Sequence, residues 1–241
     1  MKRILLQPAY VLHRRLYRET SLLVELFTPA YGRLTAIAKG VRKARSGQQA
    51  LLQPFTPLLV SWVGQQELVL LSQVEANGEF KYLQGQCLFA GFYLNELLMY
   101  LLQKWDAHAQ LYTIYEQTIQ ALRTRAFEQG ILRSFEKRLL EILGYGLLPT
   151  TDLALHRTFS ADKYYRFIPQ QGLVAEQHDQ TEKEMASLFS GKSLLGIAKE
   201  NWADEENLQA AKRLIRFALA PLLGEKRLHS RFLFMQSIEE N

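Results

Sequence analysis

The chain has 241 residues, 48% of them hydrophobic, with a formal net charge of +5 and one cysteine. At about 100–200 residues per domain that content supports one large or two modest domains, and two are expected. The single Cys87 excludes an intramolecular disulfide and a cysteine-built zinc site and suits a reducing cytosol.

The N-terminus, MKRILLQPAY, breaks its apolar run at Gln7 and Pro8, too early for a signal-peptide core. No segment approaches the ~18 consecutive apolar residues of a membrane span. The expectation is a soluble, cytoplasmic protein with no membrane partner.

After Pro8, AYVLHRRLY is a strand candidate, and SLLVELFT (21–28) alternates with period two. PAYG (29–32) turns the chain, because Pro29 presets φ and Gly32 is free to take φ > 0. RLTAIAKG returns, making 21–39 a hairpin. PLLVSWVG and QELVLLSQVEA form a second hairpin about Gly64 and Gln65. Five strands with their longest connection between the third and fourth predict an OB-type barrel over residues 1–79, with an SH3-like barrel as the alternative.

That long connection begins AKGVRKARSGQQ (38–49), where Lys39, Arg42, Lys43 and Arg45 crowd together with no acid between Glu25 and Glu67. Residues 1–75 hold ten Lys/Arg against four acids, a net of +6, whereas the remaining 166 residues net −1. A positive third points to a polyanionic partner. Arg14, Arg15 and Arg18 at the end of the first strand, Arg33 at the start of the third and the 39–45 loop are expected to converge on one barrel rim and neutralise phosphates. Among the interleaved aromatics Phe27 and Trp62 are assigned to core, and Tyr31, at the turn beside Arg33, is the candidate for stacking on a base.

From about residue 80 the period becomes helical: 83–104, 109–126 and 128–143, the last closing at Gly144. YYRFIPQQGLVA (164–175) reads as a hairpin, and Thr181 with Glu184 as a capping box. Asp204 caps a long helix that Gly224 stops. On that helix Leu208, Ala211, Ile215, Ala218 and Leu222 share a stripe at about 100° per residue, and Lys212, Arg213 and Arg216 fall on an adjoining face. That face is either a second phosphate contact or simply solvated. The expected class is α+β, a five-stranded barrel followed by a mainly helical domain (80–241) with a small hairpin insertion in the otherwise irregular 147–180.

The five histidines lie at no metal-ligand spacing, and P-loop, dinucleotide and nucleophile-elbow motifs are absent. A non-catalytic binding protein without cofactor or metal is expected. From pattern alone, three readings stay open: a DNA binder, an RNA-binding barrel and a helical adaptor for a protein partner.

The run VLHRRLYRETSLLVELFTPAYGRLTAIAKGVRKARS, followed by LLQPFTPLLVSWVGQQELVLLSQVEA, FAGFYLNELL (89–98), LRSFEKRLLEILGYG (132–146) and AAKRLIRFALAPLLGEKRLHSR (210–231), resembles the RecO family of bacterial recombination mediators in the family's own order. The combination of E-T-S (19–21), A-K-G (38–40) and L-Q-P-F-T-P-L (52–58) is specific. The resemblance implies binding to single- and double-stranded DNA, strand annealing, work with RecR in loading RecA, and a cytoplasmic, nucleoid-associated location. It further implies contact with the acidic C-terminal tail of the single-stranded-DNA-binding protein on helix 128–143, where by angular count Leu132, Phe135, Leu139, Ile142 and Leu143 share an arc flanked by Arg133, Lys137 and Arg138; from pattern alone such a stripe is plain core. The expected order of depth puts Leu132, Phe135 and Leu139 at the pocket mouth and Leu143 deeper. Some members carry a four-cysteine zinc site after the position of LGYG; 147–180 contains no cysteine.

Overall fold

A computed structural model describes residues 2–43, 47–65, 67–78, 81–149, 152–169, 171–176 and 186–230. The chain divides into two compact units, one built from Met1–Phe127 with the segment beginning at Arg227, the other from Glu128–Lys226. Strands give way to helices near residue 80, but the first unit runs on past that switch.

In the first unit, β1 (Arg3–Tyr17), β2 (Ser21–Thr28), β3 (Gly32–Ala38), β4 (Leu58–Val63) and β5 (Leu68–Ala76) close into a barrel in the order β1-β2-β3-β5-β4. A short helix, α1 (Gln48–Leu51), lies in the β3 to β4 connection, and β3 meets β5 in parallel. This is an OB-type barrel. β1 starts earlier than its sequence suggests, because Pro8 sits beside a register shift where it need not donate to the ladder. Its first half pairs with β4 and its second with β2, which is what closes the barrel. Val11, Val24, Leu26, Leu34, Val60 and Trp62 fill the interior, each fully buried.

Two helices cover the barrel's outside, α2 (Gly85–Leu101) against β1 and α3 (Ala109–Thr124) against β2. Tyr10 and Phe27 leave the barrel to meet Tyr112 and Tyr115 edge-on or tilted, with ring centroids 5.2–6.1 Å apart. Beneath them the Tyr115 hydroxyl donates to Asn95 Oδ1 at 2.6 Å, and Asn95 Nδ2 donates to the Leu12 carbonyl at 2.8 Å. Burial first and the Glu116 carboxylate second push the Tyr10 phenol up to about 12. At this contact the sheet passes the Leu12 carbonyl to Asn95 and Asn95 to Tyr115 as a paired chain, which is one reason α2 and α3 belong with the barrel.

The second unit contains α4 (Gln129–Ile142), α5 (Asp152–Thr158), a three-stranded sheet of β6 (Tyr164–Ile168), β7 (Gly172–Glu176) and β8 (Leu188–Ser190), then α6 (Gly191–Ala198) and α7 (Glu205–Leu223). The expected hairpin is β6–β7; α5 corrects the expectation that 147–180 is irregular outside the hairpin, and β8 and α6 carried no sequence expectation. α7 begins where Asp204 accepts from the Glu206 amide at 2.9 Å and ends at Gly224. The capping box at Thr181 lies outside the described residues.

Candidate nucleic-acid interface

The end of the barrel that bears the β1 to β2 turn also bears the segment leaving β3, because Leu22 pairs with Ala38. Arg42 ties the two together. Its amide donates to the Thr20 carbonyl at 3.0 Å, and its Nη1 donates to the carbonyls of Glu19 at 2.9 Å and Arg18 at 3.3 Å. Arg18 holds the turn in the left-handed region, φ 51°, with its guanidinium 5.2 Å from the Tyr17 ring centroid. Gly40 takes φ 70° and accepts from the Lys43 amide, so the basic segment turns tightly there. Around this frame Arg15, Arg18, Lys39 and Lys43 are exposed. Among the described residues none of the four is paired with a carboxylate. Arg14 lies just behind them, its Nη1 3.3 Å from both the Gln49 and Leu52 carbonyls at α1. Arg45 lies outside the described residues.

Tyr31 and Arg33 do not join this rim. They flank the β2 to β3 turn, and Arg33 stands five strand residues, roughly 17 Å, from Ala38. Arg33 is 14% exposed: it pairs with Glu25 at 3.1 Å and donates twice to the Leu102 carbonyl that ends α2, at 3.2 and 3.0 Å. It is a clamp between hairpin and helix. Tyr31 is half-buried edge-on against Trp62, with centroids 5.2 Å apart. The convergence expected of Arg33 is therefore corrected by strand topology, since successive hairpin turns fall at opposite ends of a barrel, and Tyr31, the stacking candidate, lies at that other end as well.

In the second unit Lys212, Arg213 and Arg216 are all exposed on α7, opposite buried Leu208, Ala211, Ile215 and Ala218. Arg213 lies 5.1 Å from the Phe189 ring centroid.

On α4 the expected order of depth is reversed. Leu132, Phe135 and Leu139 are buried in the unit's core, whereas Leu143 is half-buried. Periodicity identified the shared face but not its direction. The cations on the flanks are all engaged: Arg133 with Glu136 at 3.1 Å, Lys137 with Glu200 at 3.4 Å and Glu141 at 3.8 Å, and Arg138 with both Glu200 oxygens at 3.3 and 3.2 Å. Glu200 has φ 54° and also accepts from Ser134 at 2.8 Å. Burial pushes its pKa up, but the Ser134 hydrogen bond and the charges of Lys137 and Arg138 outweigh burial and hold the carboxyl below its usual range.

Comparison with known proteins adds a family likeness over most of the chain. Residues 1–80 match the family described as Recombination protein O N terminal, and 84–232 match Recombination protein O C terminal. The chain is 43% identical over 233 residues to DNA repair protein RecO of Coxiella burnetii (strain RSA 331 / Henzerling II), covering 96% of this chain and 98% of that one. It is 43% identical over 228 residues to DNA repair protein RecO of Pseudoalteromonas atlantica, covering 95% and 93%. The corresponding protein of Nitrosococcus oceani is 44% identical over 231 residues, covering 96% and 93%.

Proposed function

The chain belongs to the RecO family of DNA repair proteins, and from that premise we propose that it is a non-catalytic recombination mediator. On this reading it binds single- and double-stranded DNA, anneals complementary strands at the nucleoid and, with RecR, helps RecA load onto DNA coated with single-stranded-DNA-binding protein. The observation that carries the reading is the barrel rim, where Arg15, Arg18, Lys39 and Lys43 stand exposed on a turn and loop fastened by Arg42. Cations held this way neutralise backbone phosphates and leave base edges free. Pairing two strands is downhill once their repulsion is screened, so the work asks for a surface and no cofactor. Lys212, Arg213 and Arg216 provide a further basic face.

The acidic tail of the single-stranded-DNA-binding protein docks, on the same reading, along the outer edge of α4. Arg138 is 43% exposed and already grips a carboxylate, that of Glu200, through two donors, the geometry that a tail carboxylate requires. Buried Leu132, Phe135 and Leu139 form the floor, Leu143 offers apolar contact, and Lys137 and Arg133 set the field.

The test is annealing of complementary oligonucleotides coated with the cognate single-stranded-DNA-binding protein, with and without its C-terminal tail. Acceleration that depends on the tail is expected. No acceleration with either form contradicts the mediator reading; equal acceleration with both removes the tail from it.

A further inference from the structure

The first unit carries a cleft of about 120 Å³, walled by Phe55, Thr56, Lys81, Tyr82, Phe92 and Arg123, that neither the basic rim nor the barrel core uses. Its floor is held under strain. Phe55 adopts φ 69°, a region that a bulky side chain rarely enters, and the Arg123 guanidinium donates to its carbonyl. The Phe55 ring meets Phe92 edge to face at 5.3 Å. α2 makes room for it with Gly91, where a Cβ would stand 2.8 Å from Phe55 Cε1 and from Leu83 Cδ1. Two polar atoms of the wall, Thr56 Oγ1 and Arg123 Nε, are buried without a hydrogen-bond partner, and Thr56 is only 1% exposed. The mouth is aromatic, with Tyr82 64% and Phe92 37% exposed. Its charged wall residues, Lys81 and Arg123, are both cationic.

We propose that this cleft receives one unstacked nucleobase from a single strand bound on the rim of the same barrel. The proposal rests on the DNA-binding reading and deepens it. Size favours a flat aromatic ligand of which one ring enters, since an enclosed cavity of about 150 Å³ holds benzene whereas sites for larger ligands begin near 300 Å³; the second ring of a purine stays at the open aromatic mouth of Tyr82 and Phe92. Chemistry favours a base over a hydrocarbon ring, because the charged residues of the wall, Lys81 and Arg123, are both cationic and a base brings ring nitrogens and carbonyl oxygens as acceptors for such donors, which a phenylalanine side chain does not. Pro54 of the cleft bridges to Val11, which sets the cleft about four strand residues from Arg15 and about seven from Arg18, roughly 13–23 Å along β1, a span within the ~4–16 nucleotides that one such barrel occupies. Stacking on aromatic faces is tolerant of base identity, as annealing of arbitrary sequences requires. A duplex has no free base to offer.

The experiment uses the full chain with Tyr82→Ala, Phe92→Ala and the ring-preserving Tyr82→Phe and Phe92→Tyr, each checked by thermal melting. Anisotropy is measured with a labelled single strand and its matched duplex, and emission is followed from a strand containing 2-aminopurine. The alanine variants should bind the single strand about tenfold more weakly and the duplex as the parent does. The 2-aminopurine change seen with the parent should vanish in them and return in the ring-preserving variants. Alanine variants that bind both forms like the parent, or lose both equally, overturn the proposal. So does loss of a labelled acidic peptide ending in phenylalanine with DNA binding intact, which makes the cleft a peptide pocket. A parent that binds no DNA sinks the preceding reading as well; a parent that binds DNA with indifferent variants sinks only this one.

Discussion

The barrel rim and helix α4 both present clustered cations, and they differ in what surrounds them. On α4, Arg133, Lys137 and Arg138 face Glu136, Glu141 and Glu200 within 4 Å, so their charge is largely spent inside the fold. On the rim, Arg15, Arg18, Lys39 and Lys43 are exposed, and among the described residues none has a carboxylate partner. Unpaired like charges repel and add nothing to stability, and their being fastened in place through Arg42 is what supports proposing them as a phosphate contact. The same residue types thus fall into a rim set without carboxylate partners, proposed to bind DNA, and a paired α4 set, in which Arg138, 43% exposed, keeps an outward face for the proposed tail.

The largest effect should come from reversing the binding set. Arg15, Arg18, Lys39 and Lys43, all changed to Glu, should cost at least ~100-fold in single-strand affinity. The melting temperature should move little, since exposed substitutions stay within about 0.5 kcal/mol each. Calorimetry beside anisotropy checks both halves, and a variant that melts much earlier would blur the distinction between the two sets.

Arg33→Ala should do the opposite. It removes the partner of Glu25 and two donors to the end of α2, costing about 2 kcal/mol by denaturant titration, with DNA affinity of the folded protein unchanged. A drop in affinity would return Arg33 to the interface.

Glu200→Gln should cost about 1 kcal/mol at neutral pH, a figure reduced because the ion pairs are partly solvated. Its carboxyl is held below the usual range, so its contribution is present above the unfolded value, about 4.3, and is lost as pH falls through the folded value. The stability difference between parent and variant should therefore close on acidification through the carboxylate range. A gap that persists at low pH would mean that Glu200 acts through shape instead of charge.

The smallest effect is expected at Arg213 and Arg216. Reversing both to Glu should slow annealing severalfold and lower melting only slightly, through the lost contact of Arg213 with the Phe189 ring. Annealing at the parental rate would make that face merely solvated.

What the sequence made legible was local. The hairpin 21–39 follows from alternation about PAYG, and α7 from Asp204, Gly224 and a 3.6-residue stripe; each signal is complete within one element. The first half of β1 was hidden because Pro8 reads as a break, whereas pairing with β4, more than fifty residues later, overrides it. Arg33 looked like its neighbours in charge, but its fate depends on Glu25 across the hairpin and Leu102 beyond the barrel. On α4 the spacing of Leu132, Phe135 and Leu139 is the same whether the stripe faces a core or a ligand. The Phe55 cleft has no local signature, since Arg123 and Phe55 stand 68 residues apart.

The most direct test of the rim as the DNA-binding set is a salt series on single-strand affinity for the parent and the four-fold rim variant. For single strands log affinity falls with log salt by about 0.7 per phosphate neutralised. The parent should show a steep negative slope, and the variant's slope should be shallower by roughly 2–3. Equal slopes for the two proteins would contradict the account, because the phosphates would then be held by cations elsewhere.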